Sequence, residues 1–175
     1  MNCCKLNCFI INQKLVIFLL KKQAFSQLDT ILCDAELLSD DGQYFLSNQT
    51  DIQFSNTDRR VSNKARSGNH SILLEAKNPY GFTFVMENLQ PCEKILVSCW
   101  KRSSNNSIKA IITMENGSYL QNPNFIVERE EDGWVRQVQE FAIPKDAKTD
   151  KASFFLFNPS PEKIYFDDLM IVRIK

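Results

Sequence analysis

Apolar and polar positions alternate in short bursts along most of the chain, most densely between Ala65 and Arg102. Three apolar runs follow one another there: Ser71–Ala76, Gly81–Glu87 and Ile95–Trp100. Turn signals separate them, first Asn78-Pro79-Tyr80-Gly81, then Asn88 to Lys94 with Pro91 inside. Short β-rich runs with such punctuation predict antiparallel strands. In the middle run Phe82, Phe84 and Met86 share one face, and Thr83, Val85 and Glu87 the other. That is the period of two of a strand with one face on a core.

The same reading extends both ways. Before this region it predicts strands at Thr30–Glu36, Gln43–Leu46 and Asp51–Ser55. After it, Ser107–Glu115 alternates, with Ile108, Ala110, Ile112 and Met114 on one face, and Asn116-Gly117 supplies a tight turn. Tyr119–Glu128 is less regular and is interrupted by Asn122-Pro123-Asn124. Trp134–Ile143 is a long strand whose in/out pattern slips between Val138 and Phe141, which predicts a bulge there. Ala152–Phe157 is nearly all apolar, as in a central strand covered on both faces. Lys163–Ile174 closes the chain. No sustained helical period and no internal repeat appears after the N-terminal segment. These strands predict two packed antiparallel sheets, an all-β sandwich spanning residues 28–175 as one domain.

Residues 1–27 differ. A basic residue precedes the apolar run Leu15–Leu20, and the segment ends Ala24-Phe25-Ser26-Gln27. That order is the one found in secretory leaders, with small residues before a cut. The run is short, and Lys21-Lys22 interrupt it; it is too short to span a bilayer. The expectation is a leader at 1–27, read either as a signal peptide or as a helical or disordered tail, and a secreted or cell-surface domain.

Composition narrows the function. Lys+Arg and Asp+Glu are equal at 21 each, so no net field draws in nucleic acid. The basic stretch Arg59–Arg66 lacks the interleaved aromatics of a nucleic-acid surface. Thirteen Phe against five Gly fit an aromatic-filled β core. Of the six cysteines, Cys3, Cys4 and Cys8 lie in the leader. Cys33, Cys92 and Cys99 cannot close a disulfide framework and show no zinc spacing.

Candidate chemistry is thin. His70 is the single histidine, with no nucleophile signature beside it, so no catalytic triad is expected. Acidic pairs occur at Asp40-Asp41, Glu130-Glu131 and Asp167-Asp168, but short loops do not predict a deep cleft between carboxylates. Asp167-Asp168 lies inside an apolar strand, where a carboxylate must be paired, hydrogen-bonded or metal-bound. Arg59, Arg60 or loop amides are the partners expected without a metal. The apolar face of a sugar stacks on aromatic rings. Tyr80 and Tyr119, both beside turns, are the surface candidates. Trp100 and Trp134 are further ring candidates. Asn78 and Asn116 could add hydrogen bonds.

Four stretches together carry a resemblance. Ala65-Arg66-Ser67-Gly68-Asn69-His70-Ser71 resembles the "(A)xSGxxS" start of a strand. Leu89-Gln90-Pro91-Cys92 through Ile95-Leu96-Val97-Ser98-Cys99-Trp100 is similar to "L-x-P-G-x-x-Y-x-V-S-x-W". Asp132-Gly133-Trp134 with Phe141-Ala142-Ile143-Pro144 resembles "GW…F-x-V-P". Tyr165-Phe166-Asp167-Asp168-Leu169-Met170-Ile171 resembles a closing "Y-F-D-D-V-x-V". Cys92 stands where the pattern has Gly, and Ile95 where it often has an aromatic. This order resembles the galactose-binding-like jelly rolls that include many carbohydrate-binding modules. The resemblance implies a structural calcium ion (Ca2+) near the chain ends, held by Glu36, Asp167 and the backbone of Ser67 to His70, with Asp34 an alternative; calcium takes six to eight oxygens. It also implies a non-catalytic module recognising an extracellular polysaccharide or glycan. A β-sandwich that contacts another protein and binds no sugar is the alternative, and an enzyme ranks below both.

Overall fold

The computed structural model describes residues 29–48, 51–103, 109–114, 119–120 and 125–174. The leader-like segment lies outside them. Two antiparallel sheets face each other. The larger runs β10 (Phe125–Arg129), β11 (Trp134–Ala142), β7 (Lys94–Arg102), β13 (Ile164–Ile174), β5 (Ser71–Leu74) and β4 (Arg60–Val61), with β1 (Asp29–Cys33) also on β13. The smaller runs β6 (Tyr80–Met86), β12 (Ala152–Phe157), β8 (Lys109–Met114) and β9 (Tyr119–Leu120). A ribbon of β2 (Phe45–Leu46) and β3 (Gln53–Phe54) completes the strands among the described residues.

The closing strand holds the sandwich together. β13 pairs with β7 along one side. On its other side it takes β5 at Ile164–Phe166 and β1 at Leu169–Arg173. The last strand thus locks the first into the large sheet. Asp168 has φ 48 in the bulge between its two registers, where Asp167 and Met170 oppose Trp100 and Ser98. At the chain's end Arg173 reaches a buried carboxylate. Its Nε and Nη2 lie 2.5 and 3.1 Å from the Glu93 oxygens, and it also caps the carbonyls of Glu87 and Asn88.

The inner faces supply the core: Phe82, Phe84, Met86, Ile112, Met114, Phe154 and Leu156 from one sheet, Ile72, Ile95, Val97, Phe141, Phe166 and Ile171 from the other. The alternation of Phe82, Phe84 and Met86 is therefore as the sequence predicts. Cys33 and Cys99 are free thiols, and burial pushes both up to about 12. Cys92 adopts φ 65, which is why the resembling pattern has Gly there.

Three expectations need correction. β1 stops at Cys33, because Ala35 takes φ 63 and ends the extended run; Glu36 therefore sits in a connection rather than in the strand. β11 carries no bulge against β7, since its register runs unbroken from Trp134↔Arg102 to Ala142↔Lys94. The slip in its pattern comes from polar residues facing inward: Gln137 and Gln139 oppose Cys99 and Val97 and are buried, next to buried Lys101. The irregularity lies instead on β10, between Ile126 and Glu128. Finally, β12 is central but covered on one face only. Ala152, Phe154 and Leu156 are fully buried, whereas Ser153, Phe155 and Phe157 are half-buried on the outer face.

Candidate functional site

The outer face of the small sheet carries an aromatic group. Tyr80 stacks on Phe157 with centroids 5.2 Å apart and planes at 24°, and meets Phe155 edge-on at 5.4 Å. Tyr80 is 47% exposed, and Val85, on the same strand, is 57% exposed. A bulge places Tyr80 there. On β12, Phe154 opposes Phe84 and Leu156 opposes Gly81, so two residues of β6, Phe82 and Thr83, span one of β12. Phe82 sits at φ 46 in this bulge. Strict alternation would put Tyr80 on the same face as Phe82 and Phe84. The extra residue reverses the phase, so Gly81 faces the core and Tyr80 faces out. Gly81 is required because a Cβ would come within 2.6 Å of Ile72 Cδ1.

A second polar centre lies where the loop 65–70 crosses the chain's opening and closing segments. Asp167 is fully buried. Its Oδ2 accepts the amides of Arg66 (2.7 Å) and Ser67 (3.2 Å), and its Oδ1 accepts the Asp168 amide (2.8 Å). Burial, opposed by these donors, pushes the Asp167 carboxyl up to about 7. Glu36 Oε1 accepts the amides of Asn69 (2.6 Å) and His70 (2.7 Å), and Oε2 lies 2.8 Å from His70 Nδ1. Burial works to raise the Glu36 carboxyl, but His70 and the two amides outweigh it and hold it below the usual range. Asp168 takes Ser67 Oγ (2.6 Å) and Arg66 Nη1 (2.9 Å), while Arg66 also binds Glu130 at 2.8 Å and lies 4.1 Å over the Trp100 ring.

The structure thus brings Glu36 to His70 and Asp167 to Ser67, as the proposed calcium set requires, but through the wrong atoms. The oxygens of both carboxylates face N–H donors. Calcium needs oxygen donors converging on one point, whereas the loop offers its amides to the carboxylates. Among the described residues, no group of three His, Cys, Asp or Glu side chains is placed to hold a metal. Asp34, the alternative, is turned to its own neighbours: Oδ1 accepts the Glu36 amide, and Oδ2 accepts Asn48 Nδ2. The residues as placed do not fit the ion. Loop amides are the partners of Asp167. Arg59 pairs with Asp58, and Arg60 holds the carbonyls of Ala35 and Glu36, each at 2.8 Å.

Of the ring candidates, Tyr80 is on the surface. Trp134 and Trp100 are 0% and 5% exposed, in a separate cluster with Tyr165 on the large sheet, the interior position that the resemblance implies for them, and offer no open ring face. Asn78 is half-buried in the hairpin turn between β5 and β6, where its amide donates to the Glu75 carbonyl at 2.8 Å. Tyr119 belongs to β9, but its side chain lies outside the described residues, as does Asn116. Phe155 and Phe157 were not picked out in sequence, although they alternate with the buried Phe154 and Leu156.

Two facing antiparallel sheets, with β1 paired on β13, define an antiparallel jelly-roll β-sandwich. The CBM22-1 xylan-binding domain of Paenibacillus barcinonensis Xyn10C has this fold, with TM-score 0.52 and 14% identity over 83% of this chain and 95% of that one. The C-terminal family 22 carbohydrate-binding module of Clostridium thermocellum Xyn10B matches at TM-score 0.47 and 13% identity, over 80% and 89% of the two chains. A family 16 carbohydrate-binding module matches at 0.43 and 17%, over 64% and 82%. No protein-family model matches the sequence, and no curated protein matches it.

Proposed function

We propose that this protein is a non-catalytic module that binds an extracellular glycan on the outer face of its small sheet. The observation that carries the reading is the solvent-facing group of Tyr80, Phe155 and Phe157 on the jelly-roll fold. A half-open ring over a sheet suits the C–H face of a sugar, and a shallow apolar surface suits a polymer chain better than a buried small molecule. The leader-like segment supports export. The non-catalytic part of the reading rests on the carboxylates, since those of the polar centre are already engaged: Asp167 and Glu36 by amides, Asp168 by Arg66. Among the described residues no helix is long and apolar enough to cross a membrane.

Val85 favours a second reading. Its exposure extends the rings into an apolar patch, and such a patch also suits a protein partner. Affinity electrophoresis of the full chain in gels containing xylan, mannan or soluble β-glucan separates the two. Retardation by a polysaccharide, reduced about tenfold in Tyr80→Ala or Phe157→Ala, supports the glycan reading. Absence of retardation across the panel refutes it.

A further inference from the structure

The large apolar side chains exposed among the described residues are Leu37, Tyr44, Tyr80 and Val85. Tyr80 and Val85 belong to the small-sheet face described above. Leu37 and Tyr44 belong to a hairpin that continues it. We infer that the glycan-binding surface runs across the strands from Phe155 to Tyr44, and that Tyr44 is a second ring subsite, which makes the ligand a linear oligosaccharide rather than a mono- or disaccharide. This inference rests on the glycan reading above and adds to it the length of the ligand and a residue outside the Tyr80 group.

Backbone pairing builds the continuity. Segment 37–39 lies against β2 through the Leu38↔Phe45 bridge, and the amides of Leu46 and Ser39 donate to the carbonyls of Leu37 and Tyr44 at 3.0 and 2.9 Å. β2 pairs with β3 at Phe45↔Phe54 and Leu46↔Gln53, which sets Tyr44 beside Ser55. β3 reaches β6 by the Ser55↔Thr83 bridge, where the Ser55 amide donates to the Thr83 carbonyl at 2.8 Å. On β12, Phe155 stands opposite the bulge at Phe82 and Thr83. The rings fix which side is inward: Phe45 and Phe54 meet Phe82 edge-on in the core, at 5.3 and 5.8 Å. Side chains alternate along a strand, so Tyr44 and Ser55 face outward, on the same side as Phe155. Leu37 alternates in the same way with Leu38, which packs on the core.

Tyr44 and Phe155 are separated by the steps β2 to β3, β3 to β6 and β6 to β12. At about 4.8 Å per step this is roughly 14 Å, more than a disaccharide covers. Twist of about 20–25° per strand curls the row, and a chain with rotatable glycosidic linkages can follow it. What lies between the rings favours such a chain. Gln53 is exposed and Ser55 half-buried, and neither side chain makes a hydrogen bond among the described residues. Protein interfaces place apolar groups at the centre and polar groups at the rim. Here rings stand at the two ends, with an amide and a hydroxyl between them. That order matches a polymer whose C–H faces and hydroxyls recur along its length. Tyr44 itself is 40% exposed, and its ring offers an apolar body and a polar tip. A ligand held at one end makes its second contact within the complex, so affinity climbs once the chain spans both rings.

The test titrates the full chain with xylobiose and xylohexaose, cellobiose and cellohexaose, and mannobiose and mannohexaose, followed by calorimetry and amide NMR shifts. The expected result is that a hexasaccharide binds about tenfold tighter than its disaccharide and shifts residues 44, 53 and 55 together with 80, 155 and 157. Tyr44→Ala should weaken the hexasaccharide about fivefold and leave the disaccharide unchanged. The hydrogen bonds of Tyr44 in the hairpin are made by its main chain, so this variant keeps the hairpin. Equal affinity for the two lengths would overturn the inference. So would a gain with length that survives Tyr44→Ala, since a longer chain also binds in more registers. In either case, shifts still present at 80, 155 and 157 would leave the sheet-face reading standing. No shift at either group with any of the six saccharides would sink both.

Discussion

Gly81→Ala isolates the contact that sets the phase of β6. A Cβ built on Gly81 would lie 2.6 Å from Ile72 Cδ1 and 2.9 Å from Leu74 Cδ2. Both side chains are fully buried. Ordinary carbon contacts are about 3.5–4.0 Å, so two methyls must retreat by roughly 1 Å in a close-packed interior. Overpacking of that kind costs about 1–3 kcal/mol. Gly81 is not in the left-handed region, so the backbone tolerates Ala, and the lost unfolded-state freedom returns about 0.4–1 kcal/mol. The net expectation is a destabilisation of about 1–2 kcal/mol, or a Tm lower by about 2–8 °C at roughly 2–4 °C per kcal/mol for this size. Ile72→Val removes the Cδ1 methyl and alone costs about 0.5–1.5 kcal/mol. In the double variant that methyl no longer clashes, so the losses should fall short of their sum by about 1 kcal/mol. Urea denaturation followed by fluorescence of the buried Trp100 and Trp134 gives the cycle. Additivity within about 0.5 kcal/mol, or a neutral Gly81→Ala, would refute the argument that this clash dictates glycine.

Three further outcomes follow from the polar centres. Arg173→Met leaves the buried Glu93 carboxylate without its guanidinium and should cost about 3–5 kcal/mol; a loss below about 1 kcal/mol in chemical denaturation would show that the pair is not a structural anchor. Asp167 has a folded pKa above its unfolded value, so its contribution is fully present below about pH 4 and is lost as pH rises towards 7. Stability of the wild type relative to Asp167→Asn should therefore fall across that window, and a rise with pH would mean that the three amide donors outweigh burial. EGTA should leave the melting temperature unchanged, because the Glu36 and Asp167 oxygens are already filled by N–H groups; a clear drop on chelation would overturn the metal-free account of the loop.

Period and turn chemistry by themselves determined that this chain is a sandwich of short antiparallel strands and that Phe82, Phe84 and Met86 point inward. These are local properties, written into which residues follow which. They also showed that Asp167 needed a partner, since a carboxylate in an apolar strand is costly wherever it lies. Only the tertiary structure decided the rest. The bulge at Phe82 depends on the register against β12, so alternation could not show that Tyr80 turns outward to join Phe155 and Phe157. The apolar run of β12 reads the same whether one face or both are covered, and only the edge of the second layer settles which. The polar slip in β11 reads as a bulge until Gln137 and Gln139 are seen facing inward. The atoms that meet Glu36 and Asp167, amides rather than carbonyls, are fixed by the path of the loop 65–70, and a path through space is not encoded in residue spacing.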